Sequence, residues 1–178
     1  MHRPVGLAFV KRTATTDLYQ LRRLGYRQIG RGSFSRAFVH PDAPDIVVKV
    51  GTSKSHRSHL SHLRDAFPDF ARRILLKQIS SKFYPKIYDV RTTPYNHLVI
   101  MRRYYPNKDR GITRTIDQTA SVVSSHTKYR PPKTDLRRFG RALKALTGAH
   151  ILLDIHSKNI MRDLNGTPIL IDPICHRR

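Results

Sequence analysis

The stretch Ile151–Asp172 reads I-L-L-D-I-H-S-K-N-I-M-R-D-L-N-G-T-P-I-L-I-D and predicts how the rest of the chain is arranged. It is largely apolar, and polar side chains interrupt it before Asp172 closes an apolar strand. The Asn-Gly pair at 165–166 predicts a tight turn, so we expect a loop followed by a β-hairpin. Such a hairpin would bring Asp154, Asn159 and Asp172 to one end of a cleft. The simpler alternative is an ordinary turn with acidic loop caps.

The polar residues of this stretch have the spacing of a phosphoryl-transfer loop. Asp154 and Asn159 match the pattern Asp-x-x-x-x-Asn, in which the Asp orients an attacking hydroxyl and the Asn binds Mg²⁺. Asp172 follows about a dozen residues later, where a second metal ligand is expected. The order and spacing together favour this chemistry more than any one residue does.

Two segments earlier in the chain have features suited to binding the phosphates of a nucleotide. In I-G-R-G-S at 29–33, two glycines in a strand-turn-strand setting let the backbone approach phosphates closely, although this spacing also occurs in ordinary hairpins. Lys49 stands in the apolar segment V-V-K-V at 47–50, where a buried ammonium needs an anionic partner. The alternative is an edge-strand lysine whose charged end reaches solvent.

The remaining pattern predicts an α+β fold. A short helix is expected at 17–24, capped by Thr16 and ended by Gly25. A helical segment follows at 53–79, which Pro68 should end or kink. Five antiparallel strands are expected in the first hundred residues, at 26–29, 34–40, 46–50, 87–90 and 97–101.

These elements divide the chain into four parts of one domain. They are an N-terminal brace helix at 1–25, a first lobe at 26–103, a polar linker at 104–134 and a reduced second lobe at 135–178. Within the later parts we predict a short helix at 112–123 and an amphipathic helix at 135–149.

The amino-acid composition limits which binding partners and which cellular compartment are expected. The chain has 34 Lys and Arg against 12 acidic residues, which gives a net charge of +22 spread over nearly every segment. Such a charge favours acidic protein surfaces or nucleic acid, although dispersed charge is often only a solvated surface and no nucleic-acid-binding motif is present. A single cysteine, Cys175, suits a reducing cytoplasm. No signal peptide or apolar run of roughly 18 residues is found, so we expect no membrane contact.

The sequence resembles the early serine/threonine protein kinases of podophages related to the T-odd coliphages. The resemblance is carried by I-G-R-G-S-F-S-R-A-F-V-H-P at 29–41, V-V-K-V-G at 47–51, D-I-H-S-K-N-I-M at 154–161 and N-G-T-P-I-L-I-D-P at 165–173. A weaker match covers 84–90. It implies a two-lobed protein-kinase-like fold. The implied activity is transfer of the γ-phosphate of ATP to serine and threonine of host proteins of transcription, translation and RNA metabolism, in the host cytoplasm.

The resemblance also implies residue roles. Asp154 would be the base that orients the attacking hydroxyl, while Asn159 and Asp172 would ligate Mg²⁺. His156 occupies the place where typical protein kinases carry a lysine, and Lys158 is the nearest fixed cation that would share its task. The implied ATP-binding residues, with Lys49 holding the α- and β-phosphates, are Ile29, Gly30, Gly32, Ser33, Lys49 and Met101.

Two departures from the protein-kinase pattern concern the partners of this site. The lysine normally pairs with a Glu on the following helix, but this chain contains no Glu, so Asp65 or Asp69 is the expected substitute. Asp172 is followed by Pro173 rather than Phe-Gly, and few residues remain to build an activation segment. We therefore expect protein substrates to bind through the basic surface, the 102–134 tract or a partner chain.

Two rival functions remain open from the sequence. A small-molecule phosphotransferase is one, because Asp-x-His-x-x-Asn also resembles the loop of aminoglycoside- and choline-kinase-like enzymes. The other is a binding protein that has a kinase fold but has lost catalytic activity. Its basic surface would bind an acidic host protein or RNA. The sequence specifies neither the substrates, nor self-phosphorylation, nor the oligomeric state.

Overall fold

Five antiparallel strands form the largest sheet of the protein. The computed structural model describes residues 5–52, 63–107, 151–155 and 158–177. Within this part of the chain the sheet has the order β1-β2-β3-β6-β5, so β3 lies at its centre. The predicted five-stranded antiparallel sheet is therefore confirmed. The strands of the described residues are β1 Arg27–Arg31, β2 Ser35–His40, β3 Ala43–Thr52, β4 Leu63–Asp65, β5 Ile87–Thr92, β6 Asn96–Arg102, β7 Tyr105–Pro106, β8 Ile151–Leu153, β9 Ile160–Arg162, β10 Pro168–Leu170 and β11 Ile174–Arg177.

Two three-stranded sheets carry the stretch at 151–172. One has the order β10-β9-β7 and contains the predicted hairpin, whose turn places Gly166 at φ +80°. A left-handed backbone of this kind favours glycine, which accounts for the Asn-Gly pair. The other has the order β4-β11-β8, so the strand ahead of Asp154 and the strand behind Asp172 are neighbours. The strands that flank residues 154–172 on both sides therefore lie in the same sheet.

Three helices lie in the described residues, and their positions correct the sequence-based expectation. They are α1 Val5–Thr13, α2 Leu18–Arg23 and α3 Phe67–Leu75. The helix α1 was not predicted, and α2 is capped by Asp17 rather than Thr16, because the Asp17 carboxylate accepts the backbone N–H groups of residues 19 and 20. Pro68 stands in the first turn of α3, where its missing N–H costs nothing, so it begins this helix rather than ending it.

The helix α3 ends in a tight turn in which a lysine occupies a position that usually holds glycine. The N–H of Gln78 donates to the carbonyl of Arg73 at 2.9 Å, and the N–H of Lys77 donates to that of Ile74 at 3.0 Å. This pattern needs a left-handed residue after the helix cap, which is usually glycine. Here it is Lys77, with φ +58°. A left-handed non-glycine residue costs about 1–2 kcal/mol.

Apolar clusters cover both faces of the large sheet. One joins α1 and α2 to the sheet through Val10, Leu21, Phe38 and Ile100. The guanidinium of Arg91 on β5 reinforces it by donating to the carbonyls of Lys11 and Ala14 at the end of α1. The other cluster packs α3 and the hairpin β9–β10 against the opposite face, and the functional candidates lie beside it.

Two observations bound the remaining expectations. In the part of the chain that the structure describes, no helix combines the length and the apolar character needed to cross a membrane. The helices predicted at 112–123 and 135–149, and residues 53–62 of the segment predicted at 53–79, lie outside the described residues. In the described rest of that segment the prediction is wrong at both ends, because Leu63–Asp65 forms β4 and the helix ends at Leu75.

Candidate active site

A cleft of about 560 Å³ separates the glycine turn from the hairpin stretch. A volume of this size is typical of small-molecule sites. Its walls combine apolar side chains with charged and amide groups. Ten of the eleven predicted site residues line it, and they are Ile29, Gly30, Gly32, Ser33, Lys49, Met101, Asp154, Lys158, Asn159 and Asp172. His156, the eleventh, lies outside the described residues.

Lys49 and Asp172 form the central ion pair of the cleft. The Lys49 ammonium donates to Asp172 Oδ2 at 2.6 Å, although 123 positions separate the two residues in sequence. Lys49 is on the central strand β3, and its side chain is only 12% exposed. The edge-strand alternative for Lys49 is therefore wrong, and the anionic partner that its burial requires is Asp172.

Neither carboxylate expected to replace the missing Glu forms a direct ion pair with Lys49. Asp69 lies on α3 and is 60% exposed, 3.7 Å from Arg72. Asp65 lies before α3, where its Oδ1 accepts the Phe67 N–H at 2.9 Å. The side chain that contacts Lys49 from this helix is instead the ring of Phe67, with Nζ 3.6 Å from the ring centre. A cation above an aromatic face is stabilised by the ring quadrupole.

Asp65 forms a buried pair with His97. Asp65 Oδ2 lies 3.1 Å from His97 Nε2, and each side chain is only 3% exposed. Neither atom has an aligned hydrogen bond in the described structure, so the contact is an ion pair when His97 is protonated. Burial raises the pKa of the Asp65 carboxyl, but the contact with His97 and the charge of Lys49 lower it more, so the pKa of Asp65 is shifted downward. Asp65 thus acts on Lys49 through its charge rather than through contact.

The His97 ring is accommodated by a glycine on the adjacent strand. Gly51 on β3 is paired with His97 on β6. A Cβ at Gly51 would lie 2.4 Å from the His97 ring and 2.8 Å from the Phe34 carbonyl oxygen. A glycine inside a strand often marks such a close approach, and this is the signal in the sequence that could have located the pair.

We expect the change Gly51→Ala to destabilise the protein by about 1–3 kcal/mol, the usual cost of overpacking a buried site. The new methyl group must displace the His97 ring, which Asp65 holds, or the backbone at Phe34. Urea unfolding measures the effect. Gly166→Ala is the comparison, because its Cβ meets nothing within 4 Å and its cost comes only from the φ of +80°. Equal stability of Gly51→Ala and wild type would contradict the packing argument.

Backbone and side-chain hydrogen bonds hold Asp154, Asn159 and Asp172 together. The Asn159 amide donates to the Asp154 carbonyl at 2.8 Å and to its carboxylate at 3.2 Å. The N–H of Asp154 donates to the Pro173 carbonyl at 2.8 Å, and the N–H of Ile171 donates to the Asn159 carbonyl at 3.0 Å. These bonds tie the loop on both sides to the segment that carries Asp172.

The charge of Asp172 is disfavoured by its surroundings. Burial raises the pKa of its carboxyl to about 6, and the negative charges of Asp65 and Asp154 act in the same direction, while Lys49 opposes them. A carboxylate in this position gains from a cation, because the cation favours the ionised form. A cation bound beside Asp172 would therefore stabilise its ionised form.

The donor set fits a magnesium ion that is shared with a phosphate-bearing ligand. With both hydrogens of the Asn159 amide nitrogen facing Asp154, its carbonyl oxygen and the Asp172 carboxylate are the oxygen donors in the cleft. Among the described residues, no group of three or more His, Cys, Asp or Glu could hold a metal without other ligands. Mg²⁺ commonly binds through one or two carboxylates plus substrate phosphates, so a small protein donor set is appropriate.

The sequence did not identify several residues that shape the cleft. Phe67 reaches Lys49 from α3, and Tyr104 and Cys175 line the wall. Apolar residues from both sides of the cleft complete the lining: Ala37, Val47, Met161 and Ile171. They come from strands far apart in sequence, so no local pattern marks them.

Comparisons with known proteins return structures and no sequence relatives. No family model and no curated protein matches the chain. Two structures of WbdD, one described as a co-crystal with the kinase inhibitor LY294002, resemble 81% and 83% of this chain at 17% and 16% identity, with TM-scores of 0.43 and 0.45. A BubR1 kinase domain resembles 85% of it at 13% identity with a TM-score of 0.44. The chain spans 32%, 32% and 46% of the lengths of these structures. Similarity at this level carries no inference about activity.

Proposed function

We propose that the protein is an ATP- and Mg²⁺-dependent phosphotransferase that acts on serine and threonine hydroxyls of proteins. One observation carries the proposal. Lys49 and Asp172 meet at 2.6 Å in a cleft that Asp154 and Asn159 also line. Phosphoryl transfer requires a cation that binds the nucleotide, a pair of metal ligands and a base.

The ion pair between Lys49 and Asp172 indicates how the cleft would accept its substrate. With Mg-ATP bound, Lys49 would hold the α- and β-phosphates in place of the Asp172 carboxylate. Asp172 and Asn159 would hold Mg²⁺, which would supply positive charge against the phosphates. Lys158, which lines the same cleft, would add a positive charge near the transferred group. Lys49 would thus pair with the phosphates and Asp172 with Mg²⁺, so both buried charges would stay compensated.

Asp154 and the loop around it would supply the chemical step. As the attacking hydroxyl oxygen bonds to the γ-phosphorus, the bond from that phosphorus to the bridging oxygen breaks and ADP leaves. Asp154 accepts the hydroxyl proton, and Asn159 holds the Asp154 carboxylate in place. General-base assistance of this kind contributes about 10²- to 10⁴-fold in rate.

Protein substrates rather than small molecules are favoured by the charge of the chain. A net charge of +22 attracts acidic protein surfaces over long distances. The resemblance described above supports host proteins in the cytoplasm of an infected cell as the substrates. Val47 and Met101, which are paired across neighbouring strands, both line the cleft and offer the apolar surface that a purine base requires.

The test is incubation of the purified protein with Mg-ATP and a bacterial lysate, with phosphosites mapped by mass spectrometry. We expect new phosphoserine and phosphothreonine sites on several lysate proteins, and none when EDTA removes the magnesium. Identical site maps with and without EDTA would refute the proposal. Consumption of ATP without protein phosphosites would instead favour the small-molecule phosphotransferase.

A further inference from the structure

A second cavity lies on the other side of the segment 102–104 from the candidate active site. Its volume is about 340 Å³, and Arg102 and Tyr104 line both this cavity and the nucleotide cleft. Four of its lining residues are basic, namely Lys77, Lys82, Lys86 and Arg102. Asp163 is its one acidic lining residue. The walls thus carry a net charge of three positive units, since four cations face one carboxylate.

Three of the four cations, Lys77, Lys86 and Arg102, have no ion-pair partner within the described part of the protein. Asp163 uses one oxygen to hold the hairpin turn, where it accepts the N–H groups of Asn165 and Thr167. Like charges on one cavity repel one another unless an anion joins them.

Lys77 is placed on this cavity at a cost in backbone conformation. It is the residue with φ +58° that ends α3, a position for which glycine is the stable choice. In the described part of the chain no other non-glycine residue has a positive φ. A residue held in a costly conformation often serves a function that the stable alternative could not. At this position glycine would keep the turn but lose the ammonium.

The cavity is better suited to a phosphate group than to a nucleic-acid base. Its aromatic residues, Tyr84 and Tyr104, are only 7% and 9% exposed, so they offer no open face on which bases could stack. A phosphate monoester carries roughly 1.5 to 2 negative charges, more than each phosphodiester of a nucleic acid, and it accepts several charge-assisted hydrogen bonds. A side chain bearing a phosphate fits the charge and the limited volume together.

We propose that this cavity binds a phosphorylated serine or threonine side chain of a peptide, with Lys77, Lys86 and Arg102 as its principal ligands. The proposal concerns binding and does not depend on catalysis. Were the cleft to prove inactive, the cavity would still bind the phosphopeptide.

The test uses fluorescence anisotropy at physiological salt, with EDTA and without nucleotide. The probe is a labelled peptide of glycine and alanine around one phosphoserine, beside the same peptide with serine and a single-stranded RNA of similar length. We expect the phosphopeptide to bind at least about tenfold more tightly than the unphosphorylated peptide, as charge-assisted contacts imply. Lys86→Gln should weaken it about fivefold or more. Lys11→Gln, which removes an exposed charge that lines neither cavity, should not.

Lys77→Gly separates function from folding. Glycine relieves the left-handed strain, so this variant should have a higher Tm than wild type while it binds the phosphopeptide more weakly. Loss of binding therefore cannot result from unfolding. The proposal is overturned if Lys77→Gly and Lys86→Gln bind as wild type does. It is also overturned if RNA binds more tightly than the phosphopeptide, or if inorganic phosphate competes as effectively as the phosphopeptide itself.

Discussion

Replacing Asp172 with Asn should lower the rate of phosphoryl transfer by about 10³-fold or more. The change keeps the size of the side chain and leaves an oxygen that can accept from Lys49, but it removes the carboxylate proposed to ligate magnesium. A metal ion supplies several kcal/mol of charge stabilisation in the transition state. Each 1.36 kcal/mol corresponds to a factor of ten in rate, so a loss of about 4 kcal/mol gives the expected effect.

The measurement is the initial rate of phosphate transfer to a protein substrate across a magnesium titration, with Tm recorded for each variant. The matched control is Asp69→Asn, which removes an exposed carboxylate on α3 with one long contact to Arg72. Asp172→Asn also leaves the buried Lys49 ammonium with a neutral partner, so we expect a lower Tm and compare the rates at a temperature well below the Tm of every variant. An Asp172→Asn rate within about tenfold of wild type would exclude the proposed ligand role.

The change Asp65→Asn should destabilise the protein by about 3–5 kcal/mol, the cost of removing one partner from a buried ion pair. The amide leaves His97 facing a neutral group at a site where both side chains are 3% exposed. It also removes the negative charge that acts on Lys49. Guanidinium unfolding of wild type and variant at neutral pH measures the difference.

The pH dependence of this difference follows from the direction of the Asp65 shift. The pKa of Asp65 is lower in the folded protein, so its ionised form stabilises the fold above its unfolded-state pKa of about 3.9. That contribution begins to be lost only as the pH falls below the unfolded-state value, and the stabilities of wild type and Asp65→Asn should converge once the pH is below the lower folded-state value. A difference that stays constant from neutral pH to that acid limit would assign the cost to packing rather than charge.

Most of the candidate site could be predicted from the sequence because its parts are local. The glycine turn, the lysine in an apolar strand and the Asn-Gly hairpin each carry a short-range pattern, and the structure places all of them on one cleft. What joins them could not be predicted in the same way. The contact between Lys49 and Asp172 depends on how separate sheets stack, which local patterns do not encode.

The surroundings of Lys49 show where such reasoning fails. The absence of Glu directed attention to Asp65 and Asp69, but neither forms an ion pair with Lys49, and the expected helix was placed too early. Pro68 was interpreted as a helix terminator because a proline is disruptive inside a helix, yet in the first turn it is favourable. As a result, the sequence pattern did not predict the contact from Phe67, and Gly51 was the one signal of the close approach of His97.

The pairing of β4 with β11 sets the order in which the protein can fold. This pairing joins Asp65 to Cys175, residues 110 positions apart, as the register Asp65↔Cys175 shows. The hairpin of β2 and β3, by contrast, needs only a short loop to close. Distant pairings are slow because chain entropy is lost before contacts form. Pulsed hydrogen exchange during refolding should therefore protect the amides of β2 and β3 before those of β4 and β11, and simultaneous protection would contradict this order. We expect Lys49 to lack its carboxylate partner until that late step, so a nascent chain would have the sheet but not the ion pair of the candidate site.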